Sequence, residues 1–178
     1  MFKKVLPPLS STEKEAMEAG SVWWDAELFS GKPNFTTLHH YPKPALTSEE
    51  QAFMDSELET LLAMLDDQKI VKDDRDLPPE VWEFLREERF FSLIISKEYG
   101  GREFSALANS TIVSRIATRS ISAAVSVMVP NSLGPGELLS HYGTQEQKDY
   151  WLPRLADGTD IPCFALTGPE AGSDAGGI

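Results

Sequence analysis

Four residues near the C-terminal end of the sequence have the types and spacing of an anion-binding loop. Thr167 ends the apolar run 161–167, whose length is typical of a buried strand, and Gly168, Gly172 and Ser173 follow it. Because glycine has no Cβ, the backbone N–H groups of such a loop can approach an anion closely. The Ser173 hydroxyl adds another donor. The pattern therefore indicates a phosphate or pyrophosphate site, and a strand that ends in a simple turn is the alternative.

The other residues that could do chemistry stand without partners in the sequence. His39 and His40 are adjacent, but no carboxylate or cysteine stands at ligand spacing, so we predict solvated residues and no metal site. Cys163 is the only cysteine, which excludes a disulfide within the chain and cysteine-based zinc sites. His141 falls in the last turn of a predicted helix, where an imidazolium favours the carbonyl ends, and we prefer that role to catalysis.

Helical signals dominate the chain before this loop. Ser48 and Gln51 have the spacing of a capping box, and the apolar residues of 54–65 recur at helical spacing. A proline pair at 78–79 stands where proline opens a helix. Two consecutive glycines, Gly100 and Gly101, predict a tight turn. An extended, proline-containing connector is predicted for 31–47, ahead of these helices.

The second half of the helical region is predicted to contain a long buried helix. Residues 103–129 are rich in small and β-branched side chains that keep mostly to helical spacing, and Pro130 ends the pattern. A further helix is predicted for 132–142, with Gly143 after its C-terminus. Thr144 and Gln147 form another capping-box pattern, which opens the last helix.

The bulk properties restrict the classes of function. The 178 residues carry a formal net charge of −12, which argues against a nucleic-acid surface. No run of about 18 apolar residues is present, so no membrane-spanning helix is predicted and the chain is expected to be soluble.

Five segments together resemble the acyl-CoA dehydrogenase family. FALTGPEAGSD at 164–174 resembles its flavin-loop signature, and KEYGG at 97–101, NSLGP at 131–135, HYGTQEQK at 141–148 and LPRLADG at 152–158 match in the same order. The resemblance covers roughly 46–178. Gly168 stands where the commoner family form has Glu, and Glu170 follows the proline. This departure resembles the long bacterial branch of fatty acyl-CoA dehydrogenases and leaves the loop geometry in doubt.

The resemblance implies a mainly α fold and an FAD site. The implied domains are an N-terminal extension and connector (1–47), the N-terminal helical domain of the acyl-CoA dehydrogenase fold (48–159), and the first strand and flavin loop of a middle β domain that is otherwise missing (160–178). Phe164, Leu166 and Thr167 would contact the isoalloxazine edge. Gly172 and Ser173 would meet the pyrophosphate.

The resemblance also implies an acyl-CoA substrate. Ser173 would lie near the CoA arm, and Ser126, Val129 and Pro130 would limit acyl chain length; core packing is an equal alternative for these last three. The implied reaction is α,β-dehydrogenation of fatty acyl-CoA in fatty acid β-oxidation. The family's catalytic base, a Glu, has no counterpart in this chain, so we expect a fragment that is inactive alone and binds FAD weakly or not at all.

The family further implies an electron-transferring flavoprotein as acceptor and a homo-oligomer when the protein is complete. Its location would be the cytoplasm, with inner-membrane association through a lost N-terminal segment left open. Two alternatives remain: a related flavin acyl-CoA oxidase or monooxygenase, and a cofactor-free helical interaction module with acidic docking faces.

Overall fold

A computed structural model of the chain describes residues 14, 18, 24–163, 165, 167–169 and 172, and for Leu133 the backbone only. The α-helices are α1 (Asp25–Phe29), α2 (Phe35–His40), α3 (Ser48–Phe53), α4 (Glu59–Met64), α5 (Pro79–Glu87), α6 (Ala106–Ala117), α7 (Ile121–Met128), α8 (Pro135–Tyr142) and α9 (Gln145–Ala156). Between them lie the π-helical segments π1 (Met54–Leu58), π2 (Lys69–Asp74) and π3 (Val129–Leu133), and the 3₁₀ turns Phe90–Ser92 and Lys97–Tyr99. The predicted mainly α class is confirmed.

The chain divides into two units, residues 1–43 and 44–178. In the first unit, the Asn34 side chain caps α2 by accepting hydrogen bonds from the N–H groups of Thr36 and Thr37 at 3.0 and 3.3 Å. The Trp24 indole N–H donates to the Asn34 carbonyl at 2.8 Å. Because Asn34 supplies this cap, a helix interrupts the connector that was predicted to be extended over 31–47.

The second unit begins with a continuous helical run made of α3, π1 and α4. Its apolar stripe is buried as predicted, with Leu58 and Leu61 fully inside. The π1 segment lies in the middle of this run, where one turn is widened. The run therefore presents one apolar face to the core along its whole length.

The N-terminus of α3 differs by one residue from the predicted capping box at Ser48 and Gln51. Thr47 is the N-cap: its hydroxyl accepts from the Glu50 N–H at 3.2 Å, and the Glu50 carboxylate accepts from the Thr47 N–H at 2.7 Å. The backbone of Thr47 is extended, whereas Ser48 is already helical. The Glu50 carboxylate also accepts a hydrogen bond of 2.6 Å from the N–H of Ser105, which caps α6.

The single long helix predicted for 103–129 is in fact two helices, α6 and α7. Ser120 separates them: its backbone is extended, and its side chain accepts a hydrogen bond from the Ala123 N–H at 3.3 Å. The Ser120 N–H in turn donates to the Ile116 carbonyl at 2.8 Å. The side chain of a capping serine bonds to the backbone of the helix that follows it, and this competes with continuation of the helix before it. The cap at Ser120 therefore explains the break between α6 and α7.

Helices α8 and α9 follow each other across Gly143. The predicted capping box is confirmed, because Thr144 and Gln147 bond reciprocally at 2.9 and 3.3 Å. The Gly143 N–H donates to the Leu139 carbonyl at 2.9 Å and closes α8. Helix α8 begins at Pro135 rather than at 132, because π3 continues from α7 as far as Leu133.

The apolar side chains form a main core and a smaller cluster. The largest fully buried side chains of the main core are Phe90, Phe91, Leu58, Leu61, Leu65, Ile70, Leu85, Leu93, Ile112, Ile116 and Val81. The smaller cluster contains Ile95, Leu152, Leu155 and Ala156. The Ser92 hydroxyl joins the two parts by donating to the Ala156 carbonyl at 3.0 Å.

The predicted turn at 100–101 is confirmed and is tightly packed. Gly100 has a φ of 86°, which favours glycine. A Cβ on Gly101 would lie 2.1 Å from the Ile95 carbonyl oxygen. The second glycine is therefore required by close backbone approach.

The strand predicted for 161–167 is not formed in the described residues of that range, 161–163, 165 and 167. A strand is held by hydrogen bonds to a neighbouring strand, and the described residues contain no strand to pair with it. Among the described helices, none has the length and apolar character needed to cross a membrane.

Candidate functional site

The predicted anion-binding loop is open where the structure describes it. Thr167, Gly168 and Gly172 are exposed, and a Cβ on either glycine would meet no atom within 4 Å. The backbone at these positions is therefore accessible to a ligand. Phe164, Leu166 and Ser173 lie outside the described residues, so their assignment to a cofactor stays a prediction.

The start of this C-terminal tract is positioned by an ion pair. The Arg154 guanidinium donates to the Asp160 carboxylate through Nε at 2.6 Å and Nη2 at 3.2 Å. The hydrogen bond and charge of Asp160 raise the pKa of Arg154 above its ordinary value. This bidentate pair fixes the turn after α9 and the direction in which the chain leaves the bundle.

The three residues predicted to limit acyl chain length lie together at the junction of α7 and π3. Ser126 and Val129 are half-buried and Pro130 is buried. The Ser126 hydroxyl donates to the Ser122 carbonyl at 3.0 Å, so its hydrogen is already used within the helix. This junction could present the Ser126 oxygen and the Val129 side chain to a ligand, while Pro130 belongs to the packed interior.

Helix α7 also exposes apolar residues that were not predicted to contact a ligand. Ile121 and Val125 are 62% and 44% exposed, and they stand one helical turn apart, with Val129 one turn further. The opposite side of α7 buries Ala123 and Val127. The i, i+4, i+8 spacing of these three residues could have predicted an exposed apolar stripe. It was not used, because the whole helix was predicted to be buried.

Asn131 holds the backbone of π3 in place. Its side-chain Nδ2 donates to the Val127 carbonyl at 2.9 Å and to the Phe90 carbonyl at 2.7 Å. Pro130 has no N–H, so the ordinary helical ladder cannot continue through it. The Asn131 side chain therefore supplies hydrogen bonds at the point where the helix loses one, and it attaches π3 to the Phe90–Ser92 turn.

A cavity of about 390 Å³ lies between α6, π3 and α8, and we call it the polar cavity. Its lining residues are Ile94, Phe104, Ala106, Asn109, Asn131, Ser132, Glu137, Ser140 and His141. The side-chain oxygens of Asn109 and Asn131 are buried and accept no hydrogen bond. His141 stands in the last turn of α8, as predicted, and it also reaches this cavity.

A second cavity, of about 340 Å³, is almost entirely apolar. It lies between α8, α9 and residues 160–162, and its walls include Leu139, Trp151 and Leu155.

In the described part of the chain, no three His, Cys, Asp or Glu residues are grouped so that they could hold a metal ion. No hydrogen bond between described residues joins Thr167 or Gly172 to the bundle.

The helical bundle matches a known family model, "Acyl-CoA dehydrogenase, N-terminal domain", over residues 44–159. The chain therefore belongs to the acyl-CoA dehydrogenase family. The match covers the second unit from its first residues to the end of the turn after α9. The resemblance inferred from the sequence is confirmed.

Individual relatives agree with this family. "Probable acyl-CoA dehydrogenase FadE10" of Mycobacterium tuberculosis is 34% identical over 168 residues, which are 90% of this chain and 25% of that protein. The human "Very long-chain specific acyl-CoA dehydrogenase, mitochondrial" is 28% identical over 177 residues, 97% of this chain and 26% of that protein. The chain thus spans about a quarter of the length of these curated relatives.

A solved structure shares the fold. Butyryl-CoA dehydrogenase from Megasphaera elsdenii aligns with a TM-score of 0.64 at 24% identity, covering 76% of this chain and 36% of that one. At this identity the likeness concerns the fold alone. It shows that the helical bundle is the one found in acyl-CoA dehydrogenases.

Proposed function

We propose that the chain forms the helical acyl-binding domain of an FAD-dependent acyl-CoA dehydrogenase, which converts fatty acyl-CoA to trans-2-enoyl-CoA in β-oxidation. The family match over 44–159 is the observation on which this proposal rests. The names of the mycobacterial and human relatives support an acyl-CoA substrate. Residues 48–159 would be the helical domain, with 1–47 as an extension and 160–178 as the start of a β domain in a longer polypeptide.

The proposed cofactor contacts are those of the C-terminal tract. Phe164, Leu166 and Thr167 would face the flavin ring, and Gly172 and Ser173 would meet the pyrophosphate. The exposed backbone at Gly172, with no neighbour within 4 Å of a Cβ, supports this use because an anion could approach its N–H group. FAD, when bound, would accept the hydride from the substrate.

The proposed acyl contacts lie on the exposed side of α7 and π3. Ser126 and Val129 would limit chain length directly, the buried Pro130 would do so by shaping the backbone beneath them, and the adjacent Ile121 and Val125 extend the same surface. An exposed apolar stripe of this kind supports contact with an aliphatic chain, since single exposed apolar residues are ordinary but a continuous row is not. Ser173 would lie near the CoA arm.

Dehydrogenation also needs a base that removes the α-proton. No carboxylate of this chain is assigned that role, and we propose that the isolated chain has no dehydrogenase activity. The electron acceptor would be an electron-transferring flavoprotein, and the complete protein would be a homo-oligomer in the cytoplasm. Rapid reoxidation of a reduced flavin by oxygen would instead favour the oxidase alternative.

The test is made on the longer polypeptide that contains this chain. We expect FAD absorbance near one equivalent, a loss of bound FAD in Thr167→Val and Ser173→Ala, and unchanged FAD in the control Ser110→Ala, because Ser110 is exposed on α6. Butyryl-, octanoyl- and palmitoyl-CoA are then compared with a dye acceptor. A protein without FAD and without turnover of any of them would refute the proposal.

A second candidate has support from two other relatives. "Acryloyl-CoA reductase (NADH)" of Anaerotignum propionicum is 32% identical over 126 residues, and "3-(aryl)acrylate reductase" of Clostridium sporogenes is 38% identical over 104. These names favour reduction of an activated double bond, which is the reverse chemistry. Turnover of an enoyl substrate with reduced acceptor, and none of a saturated acyl-CoA with oxidised acceptor, would select this candidate.

A further inference from the structure

We propose that the polar cavity between α6, π3 and α8 binds a small organic cation, an alkylammonium or alkylguanidinium group. None of the lining residues is among the proposed flavin and acyl contacts, although Asn131 directly follows Pro130, and no part of the dehydrogenase proposal is needed for it. The cavity has unpartnered acceptor atoms, a carboxylate in its lining and partly apolar walls.

The first observation is the side-chain oxygen of Asn131. Both hydrogens of its Nδ2 are used, because this nitrogen donates to the carbonyls of Phe90 and Val127 at 2.7 and 2.9 Å. These two hydrogen bonds identify the donating atom as Nδ2, so the other terminal atom of the amide is the oxygen Oδ1. Asn131 is only 2% exposed, and its Oδ1 is buried without a hydrogen-bond donor. A buried acceptor without a donor is unfavourable, so the site calls for a ligand that donates.

The second observation is that Asn109 and Ser140, two of the neighbouring polar residues, also offer acceptors, whereas the Ser132 hydroxyl and the His141 ring can each donate or accept. The Asn109 Oδ1 is buried and unpartnered, while its Nδ2 donates to the Ser132 hydroxyl at 3.4 Å. The Ser140 hydroxyl donates to the Gly136 carbonyl at 2.7 Å, so its remaining capacity is as an acceptor. The walls therefore match a group that carries several N–H donors.

The third observation is the sign of the charge. Glu137 is the one carboxylate among the lining residues, no Lys or Arg lines the cavity, and the imidazole of His141 can accept through one ring nitrogen when it is neutral. The exposed Glu137 carboxylate makes no ion pair or hydrogen bond with any other described residue, so its charge is available to a ligand. An acceptor-rich cavity with a carboxylate favours a cation and disfavours the phosphates of CoA or FAD.

The remaining walls are apolar. Ile94, Phe104 and Ala106 line the cavity, and Phe104 is 7% exposed. A volume of about 390 Å³ is in the range of small-molecule sites, and it exceeds the space of a single water. The ligand that fits both kinds of wall has a cationic head and a short aliphatic stem. A free amine and a Lys or Arg side chain of a second copy share this chemistry.

The probe for the test is n-butylguanidinium chloride, and n-butylurea is its neutral control of similar shape. The ¹⁵N-labelled chain is titrated at constant ionic strength, and the side-chain amide resonances of Asn109 and Asn131 are followed. We expect saturable shifts with butylguanidinium and binding about tenfold weaker with butylurea, because one charge-assisted hydrogen bond is lost. Equal affinities would mean that the cavity does not recognise the charge, and no saturable shift would mean that it holds only water; either result would overturn the proposal.

Matched variants test the charge. Glu137→Gln should weaken butylguanidinium binding about tenfold. The control is Glu146→Gln, because Glu146 also stands in the first turn of a helix, α9, but does not line the cavity. Asn109→Ala tests the amide oxygen without touching Asn131, whose loss would also disturb π3. If Glu137→Gln and Glu146→Gln bound the probe equally, the proposal would be wrong.

The source of the cation is decided by sedimentation velocity. A chain that self-associates and is dissociated by butylguanidinium would indicate that a Lys or Arg of a second copy occupies the cavity. A chain that stays monomeric while it binds the probe would indicate a free amine. The readouts involve neither flavin nor acyl-CoA, so their failure is distinguishable from a failure of the dehydrogenase proposal.

Discussion

Replacing Glu50 with Gln should remove a charged link between the start of α3 and the start of α6. The Glu50 carboxylate is 3% exposed and accepts hydrogen bonds from the N–H groups of Thr47 and Ser105 at 2.7 and 2.6 Å. Glutamine has nearly the same shape but only one acceptor oxygen. Its NH₂ group would therefore face one of these two N–H donors, which would be left buried and unpaired.

The pKa of Glu50 gives the size of the effect. Burial alone would raise the pKa of this carboxyl, but the hydrogen bonds from Ser105 and Thr47 outweigh it and lower the pKa from 4.5 to about 2. A lowering of this size corresponds to about 3 kcal/mol of folding free energy at neutral pH. Because the pKa is lower in the folded state, the stabilisation is complete above about 4.5 and is lost as the pH falls towards about 2.

Urea unfolding of the chain and the Glu50→Gln variant measures this difference. At neutral pH we expect the free energy of unfolding of the variant to be about 2–3 kcal/mol lower than that of the unchanged chain. Near pH 3 this difference should be smaller by about 2 kcal/mol. Comparing the two proteins at each pH cancels the other carboxylates. The control is Glu49→Gln, since Glu49 is the next residue and pairs with Lys97 at 2.6 Å, but both side chains are about half exposed. It should cost less than about 1 kcal/mol.

Two results would refute this reasoning. One is a Glu50→Gln variant within about 0.5 kcal/mol of the unchanged chain, as for an ordinary surface substitution. The other is a loss that stays constant between neutral pH and pH about 3, which would show that packing rather than the ionised carboxylate stabilises the link.

Three further predictions concern the glycine turn, the π3 segment and the cofactor. Gly101→Ala should destabilise the chain by at least about 2 kcal/mol in urea unfolding, because the added Cβ would overlap the Ile95 carbonyl. The control Gly168→Ala should change stability by less than about 0.5 kcal/mol, because no atom lies within 4 Å of its added Cβ. Asn131→Ala should cost about 2–3 kcal/mol, since two buried carbonyls lose their donor, and a midpoint unchanged in thermal unfolding would contradict this. The purified chain should contain far less than one equivalent of FAD by absorbance, and a stoichiometric flavin spectrum would disprove that.

The helices could be predicted where local signals agree with each other. The Thr144–Gln147 box, the stripe of 54–65 and the glycine turn all follow from spacing alone, because the interactions that decide them lie within a few residues. At α3 the sequence offers two overlapping boxes, since Thr47 with Glu50 and Ser48 with Gln51 fit equally. The contact between Glu50 and the Ser105 N–H decides between them, and that contact joins distant parts of the chain.

The break between α6 and α7 was missed for a different reason. Ser120 lies in a segment where serine and alanine are common, so a capping serine cannot be told from one inside a helix. The polar cavity could not be predicted either, because Asn109 and Asn131 are brought together only by packing of α6 against π3. The C-terminal tract was identified by resemblance, and the strand predicted for 161–167 is not formed in the described residues of that range.

The attachment of π3 at Asn131 has a consequence for how this protein can diverge. With the backbone anchored to Val127 and to the Phe90–Ser92 turn, an exchange of Ser126 or Val129 alters side-chain volume while the main chain stays in place. Bulkier or smaller residues at these two positions can therefore be sampled one at a time without loss of the fold. A residue inserted between Val127 and Asn131 would change this spacing and separate the amide from the Val127 carbonyl.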